Sequence, residues 1–101
     1  MTEPLVVRGP GGSVTLTAAA LSRLVAQAVI TVEGARLRRP RRGVDLQHAD
    51  GRATVSLELS APHGTPLPEL ARTVQERVAE ALTRTAGLEV DRVDVEIEEI
   101  T

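Results

Sequence analysis

The sequence predicts an α+β fold: a two-layer sandwich in β-α-β-β-α-β order, with two helices on one face of a small mixed sheet. Three observations predict it. Two segments carry apolar residues at helical spacing, and a glycine follows each. The segments around them alternate apolar and polar residues, as strands with one buried face do. The length, 101 residues, is that of one domain. Every strand then needs one cover and every helix has one stripe to bury, so two layers suffice.

The elements follow in order. Met1 to Gly12 reads as a flexible arm, because Pro4, Gly9, Pro10, Gly11 and Gly12 deny it a long regular element. Within it, only Leu5-Val6-Val7 suits a short edge strand. Residues 13–101 form the single domain. Val14 and Leu16 share a face of a first strand, Ser13 to Leu16. Thr17 is an N-cap for a helix over Ala18 to Val32, whose stripe is Leu21, Leu24, Val25, Ala28, Val29 and Val32, with Gly34 as its stop. Ala35 to Gly43 reads as a loop. A hairpin follows across Asp50-Gly51: Val44, Leu46 and His48 share one parity, and Ala53, Val55, Leu57 and Leu59 the same buried face. Thr65-Pro66 opens a second helix that runs to about Ala86 along Leu67, Leu70, Ala71, Val74, Val78, Ala81, Leu82 and Thr85. Gly87 stops it, and Leu88 folds back on Leu82. The last strand starts at Leu88 and reaches Ile97 or Ile100, with Val93, Val95 and Ile97 inward and Asp94, Glu96 and Glu98 outward.

Composition excludes several functions. The chain has no Phe, Tyr, Trp or Cys. Its core is therefore aliphatic, and base-stacking platforms, aromatic cages, thiol nucleophiles, disulfides and thiolate metal sites are all absent. The N-terminal segment has no signal-peptide pattern, and the run Leu24 to Val32 is too short and too polar to span a bilayer. A cytoplasmic location is expected, with no direct membrane span.

Charge divides unevenly. All 12 basic residues are arginines. Residues 1–52 are net basic and residues 53–101 net acidic. Two features stand out: the arginine cluster Arg36, Arg38, Arg39, Arg41 and Arg42 around Pro40, and the acidic strand face of Asp94, Glu96 and Glu98. These eight are the candidate partner-binding residues. An arginine cluster suits phosphates, anionic head groups or an acidic protein surface. Opposite charge poles can also pair between copies of the chain, so self-association is expected, with contacts that loosen in salt. The ordinary reading of both features is a solvated surface.

Nothing in the chain draws a catalytic centre. Of the two histidines, His48 follows strand parity to the buried face and reads as a hydrogen-bonded, partly buried residue, while His63 lies in a loop. Asp45 is three positions from His48 and so on the opposite strand face. No nucleophile–base pair or metal-ligand spacing is present. Gly9-Pro10-Gly11-Gly12-Ser13 precedes a strand, where a phosphate loop needs a helix. The expectation is a protein that is no enzyme, with no cofactor, no metal and no small-molecule substrate.

The chain resembles the alkaline shock protein family, also called the envelope stress response family. The carrying segments are Val32-Glu33-Gly34, the strand Thr54 to Leu59, Val74-Gln75-Glu76-Arg77-Val78, Thr85-Ala86-Gly87-Leu88-Glu89-Val90 and Val93-Asp94-Val95-Glu96-Ile97. Where the family commonly has an aromatic-glycine pair, this chain has His63-Gly64. The resemblance implies a non-enzymatic cytoplasmic protein of cell-envelope homeostasis with a scaffolding role; some members of the family are held at the membrane by a separate anchor protein and self-associate into higher assemblies. It carries over no catalytic or cofactor residue. The alternative is a small nucleic-acid-binding domain that uses the Arg38–Arg42 loop, which the acidic total charge and the missing aromatics disfavour.

Overall fold

The computed structural model describes residues 3–38 and 43–100. Its elements are β1 (Leu5–Gly9), β2 (Gly12–Leu16), α1 (Ala18–Ile30), β3 (Arg36–Leu37), β4 (Val44–Ala49), β5 (Arg52–Pro62), α2 (Leu67–Ala86) and β6 (Glu89–Ile100). From β2 onward, with β3 aside, the order is the expected β-α-β-β-α-β. The sheet is mixed: β4 and β3 pair with β5 antiparallel, and β6 pairs with it parallel.

β5 is the central strand. β6 runs beside it from Arg52↔Glu89 to Pro62↔Ile100, which occupies one of its edges along its whole length. β3 and β4 therefore share the other edge end to end. They meet at Glu58, whose carbonyl accepts from Arg38 N–H and whose N–H donates to Gly43 O, both at 2.9 Å. Two segments 38 and 43 residues into the chain thus act as one interrupted strand. The expected loop from Ala35 to Gly43 differs accordingly: it begins with a two-residue strand, too short to show alternation.

The turn between β4 and β5 is Asp50-Gly51, with φ of 53° and 76°. Both values lie in the left-handed region that a type I′ hairpin turn requires, and the Asp-Gly pair supplies it cheaply. The parallel β5–β6 pair needs a crossover, and α2 provides it. A bulge interrupts the register after Ala53, which pairs with Val90 while Thr54 pairs with Arg92. Asp91 is the extra residue, and the bulge is what aims its carboxylate at Arg52.

Both helices cover one face. α1 contributes Leu21, Val25, Ala28 and Val29, and α2 contributes Leu70, Val74, Val78, Leu82 and Ala86. They close over Leu46, Val55, Leu57, Leu59 and Val93 from the strands. Burying each Leu or Val contributes about 1.5–3 kcal/mol before the entropy of ordering is deducted. The core has no aromatic side chain, and small residues such as Ala28, Ala53, Ala61 and Ala86 sit within it. No buried side-chain polar atom among the described residues lacks a partner.

The ends of the helices depart from expectation in two places. α1 stops at Ile30, not Val32, because the Thr31 hydroxyl donates to the Ala28 carbonyl at 2.6 Å and the Val32 N–H turns to Val29 O. Gly34 (φ 89°) lies in the following turn. Thr65 does not cap α2: its hydroxyl donates to Pro62 O at 2.7 Å, and Pro66 holds the cap position with no side-chain bond. Thr17 does cap α1, accepting from Ala20 N–H at 3.1 Å. Gly87 closes α2 at φ 69°, with its own N–H and that of Leu88 returned to Thr83 O and Leu82 O.

The first strand of the expected order, β2, lies apart from the main sheet. β2 pairs only with β1, from Leu5↔Leu16 to Gly9↔Gly12, as a two-stranded hairpin. The boundary expected after residue 12 therefore falls inside this hairpin. Leu5 and Leu16 at its base pack against the core, while Val6, Val7 and Val14 stay exposed. His48, half-buried on β4, bonds through Nε2 to Glu3 O at 2.6 Å and ties the start of the hairpin to the sheet.

Candidate functional site

The helices leave the opposite face of the sheet uncovered. Alternation decides what it shows: Asp45 and Gln47 from β4, Thr54, Ser56 and Glu58 from β5, and Arg92, Asp94, Glu96 and Glu98 from β6. Asp45 stands opposite Ser56, which stands opposite Asp94, and Glu58 stands opposite Glu96. A shallow groove of about 450 Å³ runs between Asp45, Ser56, Glu58, Asp94 and Glu96. Five carboxylates, Asp45, Glu58, Asp94, Glu96 and Glu98, lie on this face.

Arginines at its margins offset part of that charge. Arg38, carried past the end of β3, extends over β5 to β6. Its Nε lies 2.9 Å from Glu98 Oε2, and its Nη1 lies 3.9 Å from both Glu58 Oε1 and Glu96 Oε1. Arg92 grips Asp94 Oδ2 through Nε at 3.0 Å and Nη2 at 2.7 Å. Arg52 binds Asp91 through Nε at 3.2 Å and through Nη2, and lies 3.4 Å from Glu89. The hydrogen bond to Asp91, then the charges of Asp91 and Glu89, hold the Arg52 guanidinium above its ordinary value.

The sequence-predicted partner residues therefore divide. Arg38, Glu96 and Glu98 come together within one chain, although their sequence separation suggested poles at opposite ends. Asp94 is engaged by Arg92. Arg36 is exposed opposite Ser60 on the edge of the sheet. Arg39, Arg41 and Arg42 lie outside the described residues. Reading along the sequence missed Glu58 and Arg92, which share this surface. The signal for Glu58 was its parity with Thr54 and Ser56; its neighbour across the sheet required the strand order.

The two histidines are far from any nucleophile–base geometry. His48 holds Glu3, and His63 Nδ1 meets Glu99 Oε1 at 2.9 Å on the surface. No group of three or more His, Asp or Glu side chains among the described residues is arranged to hold a metal ion. No described helix is long and apolar enough to cross a membrane.

The fold and this surface define a class: a small α-β-β-α-β domain with a charged, helix-free sheet face. Residues 19–101 match the family model of the alkaline shock proteins, described by a cell envelope-related function. The chain belongs to that family. The matched region starts within α1, so the β1–β2 hairpin precedes it. No curated protein matches the chain.

Among solved structures, a variant of the MamM CTD is 13% identical, covering 82% of this chain and 98% of that one with a TM-score of 0.57. A zinc form of the MamM CTD is 15% identical, covering 82% and 86% with a TM-score of 0.53. At such identities the likeness is one of fold alone.

Proposed function

We propose that the chain is a non-enzymatic scaffolding protein of cell-envelope homeostasis, acting through protein–protein association. One observation carries this: a whole sheet face, free of helices, displays ordered arginine–carboxylate pairs around a shallow groove. A surface of that kind is suited to another protein's charged surface, not to a small substrate. The family's envelope-related function supports it. The proposed contact set is Arg36, Arg39, Arg41 and Arg42 together with Asp94, Glu96 and Glu98; Arg38 is the member already committed within the chain. In this reading the protein stays in the cytoplasm and reaches the membrane through an anchor protein.

The test is affinity purification of the tagged chain from detergent-solubilised native membranes. Recovery of a defined envelope protein, lost on the Arg36→Glu, Arg39→Glu, Arg41→Glu, Arg42→Glu combination, is expected. A band shift with nucleic acid that falls steeply with log salt and vanishes in the same variant would establish the nucleic-acid reading instead.

A further inference from the structure

We infer that copies of this chain join head to tail, the β1 strand of one adding to the outer edge of β6 of the next. The inference rests on the scaffolding reading and names its contact.

Among the described residues, four strands of five residues or more have a strand neighbour on one side only: β1 and β2, which pair with each other, and β4 and β6, which pair with β5. Of these, β6 carries the acidic row, and β1 is the one whose charge is basic with no acid beside it, since β2 is uncharged and β4 carries Asp45. An unpaired edge exposes a row of N–H and C=O groups that another strand can take up. On β6 the side chain of Gln75 already donates to Val93 O at 3.0 Å, so the open length is the stretch beyond it, Asp94 to Glu98.

β6 cannot pair with a second β6. Its outward positions 94, 96 and 98 are all acidic, so in either direction the two strands would set carboxylate beside carboxylate, and like charges placed directly opposite are destabilising. The strand that fits must alternate apolar residues, to extend the half-buried row Val95 and Ile97, with residues that carry no negative charge. β1 has that pattern: Leu5 and Val7 on one face, Val6 and Arg8 on the other. Arg8 is the only charged residue from Leu5 to Leu16, and it has no ion pair among the described residues. Val6 and Val7 are 46% and 43% exposed, which leaves apolar surface open on this strand. Backbone pairing would supply affinity, and the alternating side chains would supply register.

The two edges lie on different flanks. The hairpin is tied at Glu3 to His48 of β4, and β5 separates β4 from β6. A contact between unlike surfaces leaves each copy with one used and one unused edge, so association continues into rings or filaments and does not stop at a dimer.

The absence of cysteine makes a direct test available. Val6→Cys protein is mixed with Asp94→Cys, Glu96→Cys or Glu98→Cys protein under mild oxidation. Adjacent strands bring opposed Cβ atoms to about 4.5–5.5 Å, close enough for a disulfide at one register. A mixed disulfide with one of the three partners, and little product from any variant alone, is expected. Arg8→Glu, an exposed change, should raise the association constant's midpoint concentration by about tenfold or more in sedimentation, and Glu96→Arg should restore it. No mixed disulfide at any position, or an assembly indifferent to Arg8→Glu, overturns the inference; so does a chain that stays monomeric. Membrane recovery of Arg8→Glu protein with its envelope partner would leave the scaffolding reading standing in each of those cases.

Discussion

Replacing Arg38 with glutamine removes one positive charge from between three carboxylates while keeping most of the side chain's bulk. The direct contact is the 2.9 Å bond to Glu98, and the contacts to Glu58 and Glu96 at 3.9 Å add longer-range attraction. The Arg38 side chain is 26% exposed, but its partners are 38%, 74% and 59% exposed, so the exposed-pair scale applies. One such pair contributes about 0.2–1 kcal/mol, and the network together about 1 kcal/mol. For a domain of this size that is a fall in melting temperature of about 4–8 °C at low salt. At about 1 M NaCl the Debye length is about 3 Å, and the difference between the two proteins should shrink to less than half. Thermal melts of both proteins by circular dichroism at low and high salt are the assay. A variant as stable as the parent at low salt, or a deficit unchanged by salt, would refute the electrostatic role given to Arg38.

Other outcomes follow from single features. Leu82 is fully buried on α2, and Leu82→Ala should cost about 2–5 kcal/mol in urea unfolding with an unchanged slope. Gly87→Ala should cost about 1–2 kcal/mol, all of it backbone, since an added Cβ meets nothing within 4 Å; Gly87→Asn should cost less in the same unfolding experiment. Thr17→Ala removes the cap on Ala20 N–H and should lower stability by about 1 kcal/mol, measured the same way. Arg52, held above its ordinary value by Asp91, brings stability that is present below that value and lost only as pH rises past the raised one. The deficit of Arg52→Gln should therefore be the same in melts at about pH 7 and about pH 9.

The elements that could be read from sequence are those whose determinants are local. The stripe from Leu67 to Leu82 and the left-handed Asp50-Gly51 pair are set within a few residues of chain. The hairpin at residues 5–16 was harder, because Pro10-Gly11-Gly12 advertises a break equally in an arm and in a turn. β3 offers two residues and no period, and its partnership with Ser60 and Leu59 is a tertiary fact. The same holds for the surface. Arginines near residue 38 and acids near residue 96 look like distant poles until β6 is laid parallel to β5, which sets Glu96 beside Glu58 and within reach of Arg38. The bond from His48 to a backbone carbonyl at Glu3 leaves no trace in side-chain type at its acceptor.

The meeting of Arg38 and Gly43 on the single residue Glu58 has a consequence for how this protein tolerates change. The ladder closes across those two residues whatever lies between them, so the number of intervening positions is uncoupled from strand register. The pairing of both strands with β5 is set by residues on either side of that interval. An epitope or a small peptide grafted there would leave β4, β5 and the buried row Leu46, Val55 and Leu57 in place, making this edge the natural port for adding a reporter to the domain.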